Sequence, residues 1–237
     1  LEFVVDPVLM DNDEIFFNAA RLDQSVALKV ADYQRIAEPR LEPIIEWSTP
    51  REKTEKPQET NDELFKIRHS LSHAMSQAVM ELYPDAKRGV GPAIDNGFYQ
   101  DFDFGETKVH EEGLKKIEKR TKQLLKQNQK FEQSFMPIDE AIKYFGHDPY
   151  KVELIEDLKK DSETEISIYT NYAQDGAKKY EDLCKGPHVD QFSRIDPNAF
   201  QIEKMAGAYW RGDENNTMLT RIYGVAFETR EQLDDYN

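Results

Sequence analysis

From Asn61 onward, apolar residues recur at three- and four-residue steps: Leu64, Ile67, Leu71, Ala74, Met75, Ala78 and Leu82. That period stacks side chains along one face of an α-helix, so an amphipathic helix is predicted, capped by Thr60 or Asn61 and stopped by Pro84. At about 100° per residue, His69 and His73 fall opposite the centre of the apolar stripe and share the face turned toward solvent or a pocket. The stretch from Gly89 to Gly97 is turn-rich, with Asn96-Gly97 as a hairpin signal. Phe98 to Phe104 then alternates as a strand with Tyr99, Asp101 and Asp103 on its polar face.

Further helices are predicted over residues 108–130, 138–145 and 149–159, and further strands over 165–170 and 218–227. Helices and strands interleave, which points to an α+β fold: an antiparallel sheet with packed helices. Residues 1–47 mix short apolar runs (Phe3 to Val5, Ser25 to Val30, Pro43 to Trp47) with acids and read as a small N-terminal domain or extension. Residues 48–60 lack periodicity, contain Pro50 and Pro57, and read as a linker. The main domain is expected over 61–237.

Charge adds a constraint. The 237-residue chain has a formal net charge of −15, which argues against a protein that coats nucleic acid through bulk electrostatics. The charge is uneven: residues 108–130 hold 8 bases and 3 acids, whereas residues 1–63 hold 7 bases and 15 acids. Lys115, Lys116, Lys119, Arg120, Lys122 and Lys126 therefore form a local basic patch on a predicted helix, the kind of footprint a phosphate backbone requires. No run approaches the roughly 18 apolar residues of a membrane span, and the acidic opening is unlike a secretion signal. One cysteine, Cys184, excludes an internal disulfide framework and favours a reducing compartment.

Two short motifs carry candidate chemistry. His69 and His73 lie one helical turn apart, and Cys184 and His188 share a Gly-Pro loop. HxxxH with CxxxH has the ligand types and spacing of a tetrahedral zinc site. The same four residues also suit a metal-free pocket that orders water beside an ester, or a Cys184 nucleophile with His188 or His73 as base. Lys151 and Lys185 are placed to offer positive charge to a developing oxyanion. Tyr209, Trp210 and Arg211 suit nucleotide stacking and phosphate contact. Phosphate-binding nucleotide motifs are missing, so no ATP site is expected within these residues.

The segments Ile67–His73, Gly91–Phe104, Tyr180–Val189 and Met205–Asn216, followed by Met218–Phe227, together resemble bacterial-type threonyl-tRNA synthetases. The resemblance covers Asn61 to Asn237 and implies the family's second N-terminal domain, which edits mischarged tRNA. It implies hydrolysis of seryl-tRNA(Thr), with His69, His73 and Lys151 catalytic and with Tyr99 or Gln100, Asp182, Cys184 and His188 around the substrate. It also implies a site without metal, zinc on His69, His73, Cys184 and His188 being the alternative, as in the related alanine branch. The implied partners are the acceptor end of threonine tRNA and the aminoacylation and anticodon-binding domains of a homodimeric cytoplasmic enzyme that uses ATP, magnesium and zinc. The abrupt end at Asn237 favours a fragment over a freestanding editor. A zinc-dependent freestanding deacylase and a non-catalytic tRNA-binding module are the rival classes. The first 60 residues do not clearly match the small N-terminal domain usual in the family.

Overall fold

The computed structural model describes residues 4–5, 14–18, 25–37, 40–41 and 63–237. The chain divides into two compact units, Leu1–Gln58 and Glu59–Asn237. The first unit contains β1 (Val4–Val5), β2 (Glu14–Asn18), β3 (Ser25–Lys29), α1 (Val30–Ala37) and β4 (Arg40–Leu41). There β1 pairs in parallel with β4, and β2 pairs antiparallel with β3. The apolar run Pro43 to Trp47, the linker over 48–60 and the caps proposed at Thr60 and Asn61 lie outside the described residues.

The second unit opens with α2 (Glu63–Leu82), followed by β5 (Lys87–Arg88), β6 (Ala93–Ile94), β7 (Gly97–Asp103), α3 (Glu111–Leu125) and β8 (Lys130–Pro137). It continues through α4 (Ile138–Tyr144), α5 (Pro149–Lys160), β9 (Glu165–Tyr172), β10 (Lys178–Leu183), β11 (Phe200–Tyr209), β12 (Met218–Ala226) and α6 (Arg230–Tyr236). Two antiparallel sheets result. One has the order β11-β12-β7-β5, with β6 also on β7, and the other has the order β10-β9-β8. The α+β class with antiparallel sheets is therefore what the chain adopts.

The stripe on α2 enters the main core: Leu71, Ala74, Met75 and Ala78 pack with Phe98 and Phe102 of β7, Ile222 of β12, and Ile117 and Leu124 of α3. Removing a large side chain there costs about 3–5 kcal/mol, because the hole closes only in part. A second core joins Ile138, Ala141 and Phe145 of α4 and Ile155 of α5 to Ile166 and Ile168 of β9.

Two sequence expectations shift. The hairpin between β6 and β7 pairs Ala93 with Phe98 and Ile94 with Gly97, so its two loop residues are Asp95 and Asn96. Gly97 is needed for closeness, not for turning: a Cβ there would sit 2.0 Å from the Gly224 carbonyl oxygen of β12. The basic helix is shorter than 108–130, because Lys130 already starts β8.

Of the two settings expected for the histidine face of α2, it takes the pocket: His69 and His73 line a cavity. Every residue from Ser70 to Val79 is buried, so neither side of this stretch faces open solvent. The apolar side meets β7 and the other side meets β10. Small Ser and Ala side chains allow that double approach.

Candidate functional site

α2 supplies His69 and His73, the loop after β10 supplies Cys184 and His188, and α5 supplies Lys151. The ligand atoms of His69, His73, Cys184 and His188 all lie within 4.8 Å of one another. A cavity of about 370 Å³ opens beside them, walled by His69, His73, Gln100, Lys151, Asp182 and Cys184, with Phe65, Val90 and Leu154 as apolar lining.

Hydrogen bonds fix the proton positions. His69 Nδ1 is 3.1 Å from the Pro187 carbonyl, which only accepts, so Nδ1 carries the proton and Nε2 is left as acceptor. The single Cys184 thiol proton goes to that acceptor, so Sγ accepts from His188 Nε2 and His188 Nδ1 is left to accept from Ser70 Oγ, 3.1 Å away, whose oxygen also accepts the Val189 N–H at 3.1 Å. His188 then carries its proton on Nε2, 3.2 Å from Cys184 Sγ. The thiol proton is free to point to His69 Nε2, 3.3 Å away, and the Gly186 N–H donates to Sγ at 3.2 Å. A directed relay runs from Val189 through Ser70, His188, Cys184 and His69 to Pro187. Gly186 shapes its loop with φ +72°, and a Cβ there would meet the Tyr169 hydroxyl at 2.5 Å.

Burial keeps these groups neutral. Desolvation lowers His69 and lowers His188 well below the ordinary histidine value, and His73 falls to about 3. Burial pushes the Cys184 thiol up to about 12, so the resting form is a thiol and the nucleophile reading falls away. His73 is 4.2 Å from the His188 ring and 5.7 Å from the Tyr180 ring, centroid to centroid. Its Nδ1 is buried and has no hydrogen-bond partner.

Charge is held one layer beneath. Lys151 Nζ donates to Asp182 Oδ1 at 2.8 Å and to the Gly89 carbonyl at 3.0 Å, and its third proton remains for a ligand. Asp182 also accepts from the Leu183 N–H at 2.8 Å and the Tyr180 hydroxyl at 3.0 Å. Burial alone would raise this carboxyl. Lys151 and Arg88 overcome that and hold it well below the usual carboxylate range. Arg88 is itself buried, 3.7 Å from Asp182 and 3.6 Å from Asp148. Sequence reasoning missed Arg88 and Asp148. Arg88 stands between Lys87 and Gly89, and Asp148 between His147 and Pro149, so no local pattern marked either as buried.

Several predicted positions land elsewhere. Tyr99 is not in the cavity wall: it alternates with Gln100 along β7, and its ring lies under Arg221 at 3.9 Å. His188 stands behind the cavity, stacked on Phe131 at 4.7 Å, where it holds Cys184. Trp210 is 5% exposed and packs with Tyr150 and Leu219, so it has no face for a nucleobase. Arg211 is paired with Glu153 and Asp157. On α3, Arg120 is tied to Glu81 and Lys122 to Glu118. Lys115, Lys116, Lys119 and Lys126 are exposed and have no ion-pair partner among the described residues.

His69, His73, Cys184 and His188 also form a donor set for zinc. Three imidazoles and a thiol are the right ligand types, and the 3.2 and 3.3 Å separations of Sγ from two imidazole nitrogens are close to the edges of a tetrahedron with bonds of about 2.0–2.3 Å. The unpartnered His73 Nδ1 is a further nitrogen seeking a partner. The residues fit the ion.

An α+β domain with these histidines, a cysteine and a buried lysine around one cleft has a recognised class. Residues 167–223 match the family described as Threonyl and Alanyl tRNA synthetase second additional domain. Over 175 residues the chain is 43% identical to threonine–tRNA ligase of Borreliella afzelii (strain PKo), covering 74% of this chain and 29% of that protein. It is 45% identical over 175 residues to the ligase of Borrelia turicatae (strain 91E135), covering 74% and 28%. The resemblance to threonyl-tRNA synthetases is thus shown. The chain spans less than a third of the length of these curated relatives. Among the described residues no helix is long and apolar enough to cross a membrane.

Proposed function

We propose that this domain is the proofreading part of a threonyl-tRNA synthetase and hydrolyses serine esterified to threonine tRNA. The observation that carries the reading is the convergence of His69, His73, Cys184 and the Lys151–Asp182 pair on one cavity, inside a domain related to threonine–tRNA ligases. Serine lacks one methyl of threonine, and a methyl is worth only about 1–3 kcal/mol of discrimination, so synthesis alone mischarges. A second site that accepts serine and excludes the methyl restores fidelity.

In this reading the ester carbonyl faces Lys151, whose third proton stabilises the oxygen as it gains charge. His69 is neutral, and once the Cys184 S–H turns away from its Nε2 that nitrogen takes the proton of the attacking water. His73, with its low basicity, orients that water without holding its proton. The carbon–oxygen bond to the ribose then breaks, and the ribose oxygen leaves with the proton that His69 took from the water, which returns His69 to its neutral form. Cys184 and Asp182 shape the serine side of the pocket, and His188 positions Cys184. The exposed lysines of α3 guide the acceptor end. The full enzyme, with its aminoacylation and anticodon-binding domains, would ligate threonine to tRNA with ATP in the cytoplasm as a homodimer.

We take the reaction to be metal-free, since the thiol and two of the imidazoles already have protein partners. A zinc-dependent reading is favoured by the donor set and by His73 Nδ1. Zinc on His69, His73, Cys184 and His188 would supply a Lewis acid and an acidified water. Incubating the 237-residue chain with seryl- and threonyl-tRNA(Thr) tests the function. Rapid loss of serine with threonine retained is expected, and equal persistence of both esters sinks the reading.

A further inference from the structure

Arg88 carries a full positive charge, yet it is 6% exposed and absent from the cavity wall, so it stands out of reach of a bound ester. A buried charge is costly and persists where it is paired. The Arg88 guanidinium spans the join of β5, β10 and α5. On one side Nη1 donates to the Glu181 carbonyl of β10 at 2.7 Å and lies 3.7 Å from Asp182 Oδ1. On the other, Nε is 3.6 Å from Asp148 Oδ2, and the same oxygen accepts the Arg88 backbone N–H at 3.2 Å.

Asp148 is the N-cap of α5, and its carbonyl accepts the Val152 N–H at 3.1 Å. An aspartate there ordinarily turns its carboxylate onto the free N–H groups of its own first turn. The Asp148 side chain makes no such bond and is turned to Arg88 instead. Lys151 is the third residue of the same helix, so its ammonium starts near the positive end of the helix dipole, where a cation is repelled. The helix alone does not hold that ammonium in place. Asp182 does so at 2.8 Å, together with the carbonyl of Gly89, the residue after Arg88, at 3.0 Å. The anion at the start of α5 and the anion that pairs Lys151 are thus both paired with Arg88. A planar guanidinium fork can serve two carboxylates at once, whereas an ammonium is a single point of charge.

Resting on the proofreading reading, we propose that Arg88 is a positioning residue: by tying Asp148 at the start of α5 to Asp182 on β10, it fixes the Lys151 ammonium against the ester carbonyl. Arg88 also shares the charge of Asp182, so Lys151 is less fully neutralised by its own partner and keeps more of its charge for the developing oxyanion. A displacement of about 1 Å in such a group is enough to cost about 100-fold in rate.

The test compares three variants of the full 237-residue chain. Arg88→Met combined with Asp148→Asn removes one cation and one anion together, so Asp182 keeps Lys151 and no buried charge is left alone. Asp148→Asn by itself is milder: asparagine still caps a helix and still accepts the Arg88 N–H, so only the charged tie is cut. Arg88→Lys keeps the charge without the fork. For hydrolysis of seryl-tRNA(Thr), the double variant is expected to lower kcat at least about 10-fold and Asp148→Asn at least about 3-fold, with KM within about 2-fold of the parent, because orientation and not binding is lost. Arg88→Lys is expected to stay within about 3-fold of the parent kcat, since the charge remains. The placement of Lys151 is read separately from the proton–nitrogen NMR signal of its ammonium, assigned by its disappearance in Lys151→Met. That signal should be sharp in the parent and in Arg88→Lys, and broadened or lost in the other two. Far-ultraviolet circular dichroism checks folding, and if the double variant does not fold, Asp148→Asn decides. Parental kcat with a parental Lys151 signal in folded Asp148→Asn overturns the proposal, as does a loss confined to KM or a fall in kcat with the signal unchanged. If the signal responds as expected but the parent cleaves no seryl-tRNA(Thr), Arg88 still positions Lys151 and the hydrolytic reading is the one that fails.

Discussion

Lys151 Nζ lies 2.8 Å from Asp182 Oδ1 with both side chains 4% exposed, and Asp182 is also the nearest anion to the buried Arg88 guanidinium on that side, at 3.7 Å. One carboxylate thus serves two cations. Arg88 has a second anion, Asp148, whereas Lys151 has no other ion-pair partner among the described residues.

That asymmetry predicts unequal costs. Asp182→Asn leaves two buried cations facing each other and is expected to destabilise the domain by about 3–5 kcal/mol in urea unfolding. Lys151→Met leaves Asp182 with Arg88, the Tyr180 hydroxyl and the Leu183 N–H, and should cost clearly less. Equal losses, or the reverse order, would show that the pair does not act as drawn. Both variants should abolish ester cleavage, Asp182→Asn through lost stability and pocket shape, Lys151→Met while the domain stays folded.

Acid should loosen the fold earlier than its carboxylates alone dictate. Burial lowers His69, His73 and His188 in the folded state, while the unfolded chain takes up protons near pH 6.5. The stability these neutral histidines represent is fully present above about pH 6.5 and is lost as pH falls toward the folded values, by up to about 1.4 kcal/mol per pH unit for each histidine. In chelator-treated protein, urea midpoints are expected to drop steadily between pH 6.5 and 5. A flat profile over that window would mean the histidines are not held neutral.

Much of this was readable along the chain, for physical reasons that differ between elements. The core face of α2 and the strand β7 are periodic, so local pattern and tertiary packing agree. The histidine motifs were legible because HxxxH and CxxxH each fix a local geometry. Their meeting depends on the loop after β10 reaching α2, which no local pattern encodes. The burial of both sides of α2 had a signal that was not used: no charged residue stands between Arg68 and Glu81, where a half-exposed helix normally carries several. Trp210 and Tyr99 misled because residue type alone does not tell a stacking platform from a core or a cation–π partner. Strands β8, β10 and β11 carry many charged and polar residues and were not predicted as strands. Their register comes from pairing partners distant in sequence.

Metal content separates the two hydrolytic chemistries. The relay through Ser70, His188, Cys184 and His69 is complete without an ion, so elemental analysis of the purified chain is expected to find well under one zinc per molecule, and a chelator should leave deacylation unchanged. Cys184→Ser keeps a donor of smaller size in the relay and should reduce cleavage only partly. One tightly held zinc per chain, with cleavage lost on chelation and regained with added zinc, would move the reaction to the zinc-dependent reading.

The last prediction concerns how an acidic chain holds an anionic partner. Of the six basic residues on α3 and at its C-terminal end, Arg120 and Lys122 are already engaged by Glu81 and Glu118, so their charge is largely spent within the domain. Lys115, Lys116, Lys119 and Lys126 are exposed, and Trp210 and Arg211 are withdrawn into the fold or paired. The phosphate contact surface should therefore be narrower than the sequence patch. Replacing Lys115, Lys116 and Lys119 by Glu is expected to weaken binding of threonine tRNA and to flatten the dependence of log affinity on log salt, since each phosphate contact contributes a slope of about 0.7 to 0.9. Arg211→Ala should leave that slope unchanged. Hydrolysis of a seryl-adenosine ester, which has no phosphate backbone, should hardly respond to either change. Undiminished tRNA affinity and salt slope in the charge-reversed protein would reduce α3 to a solvated face and leave docking to other domains of the synthetase.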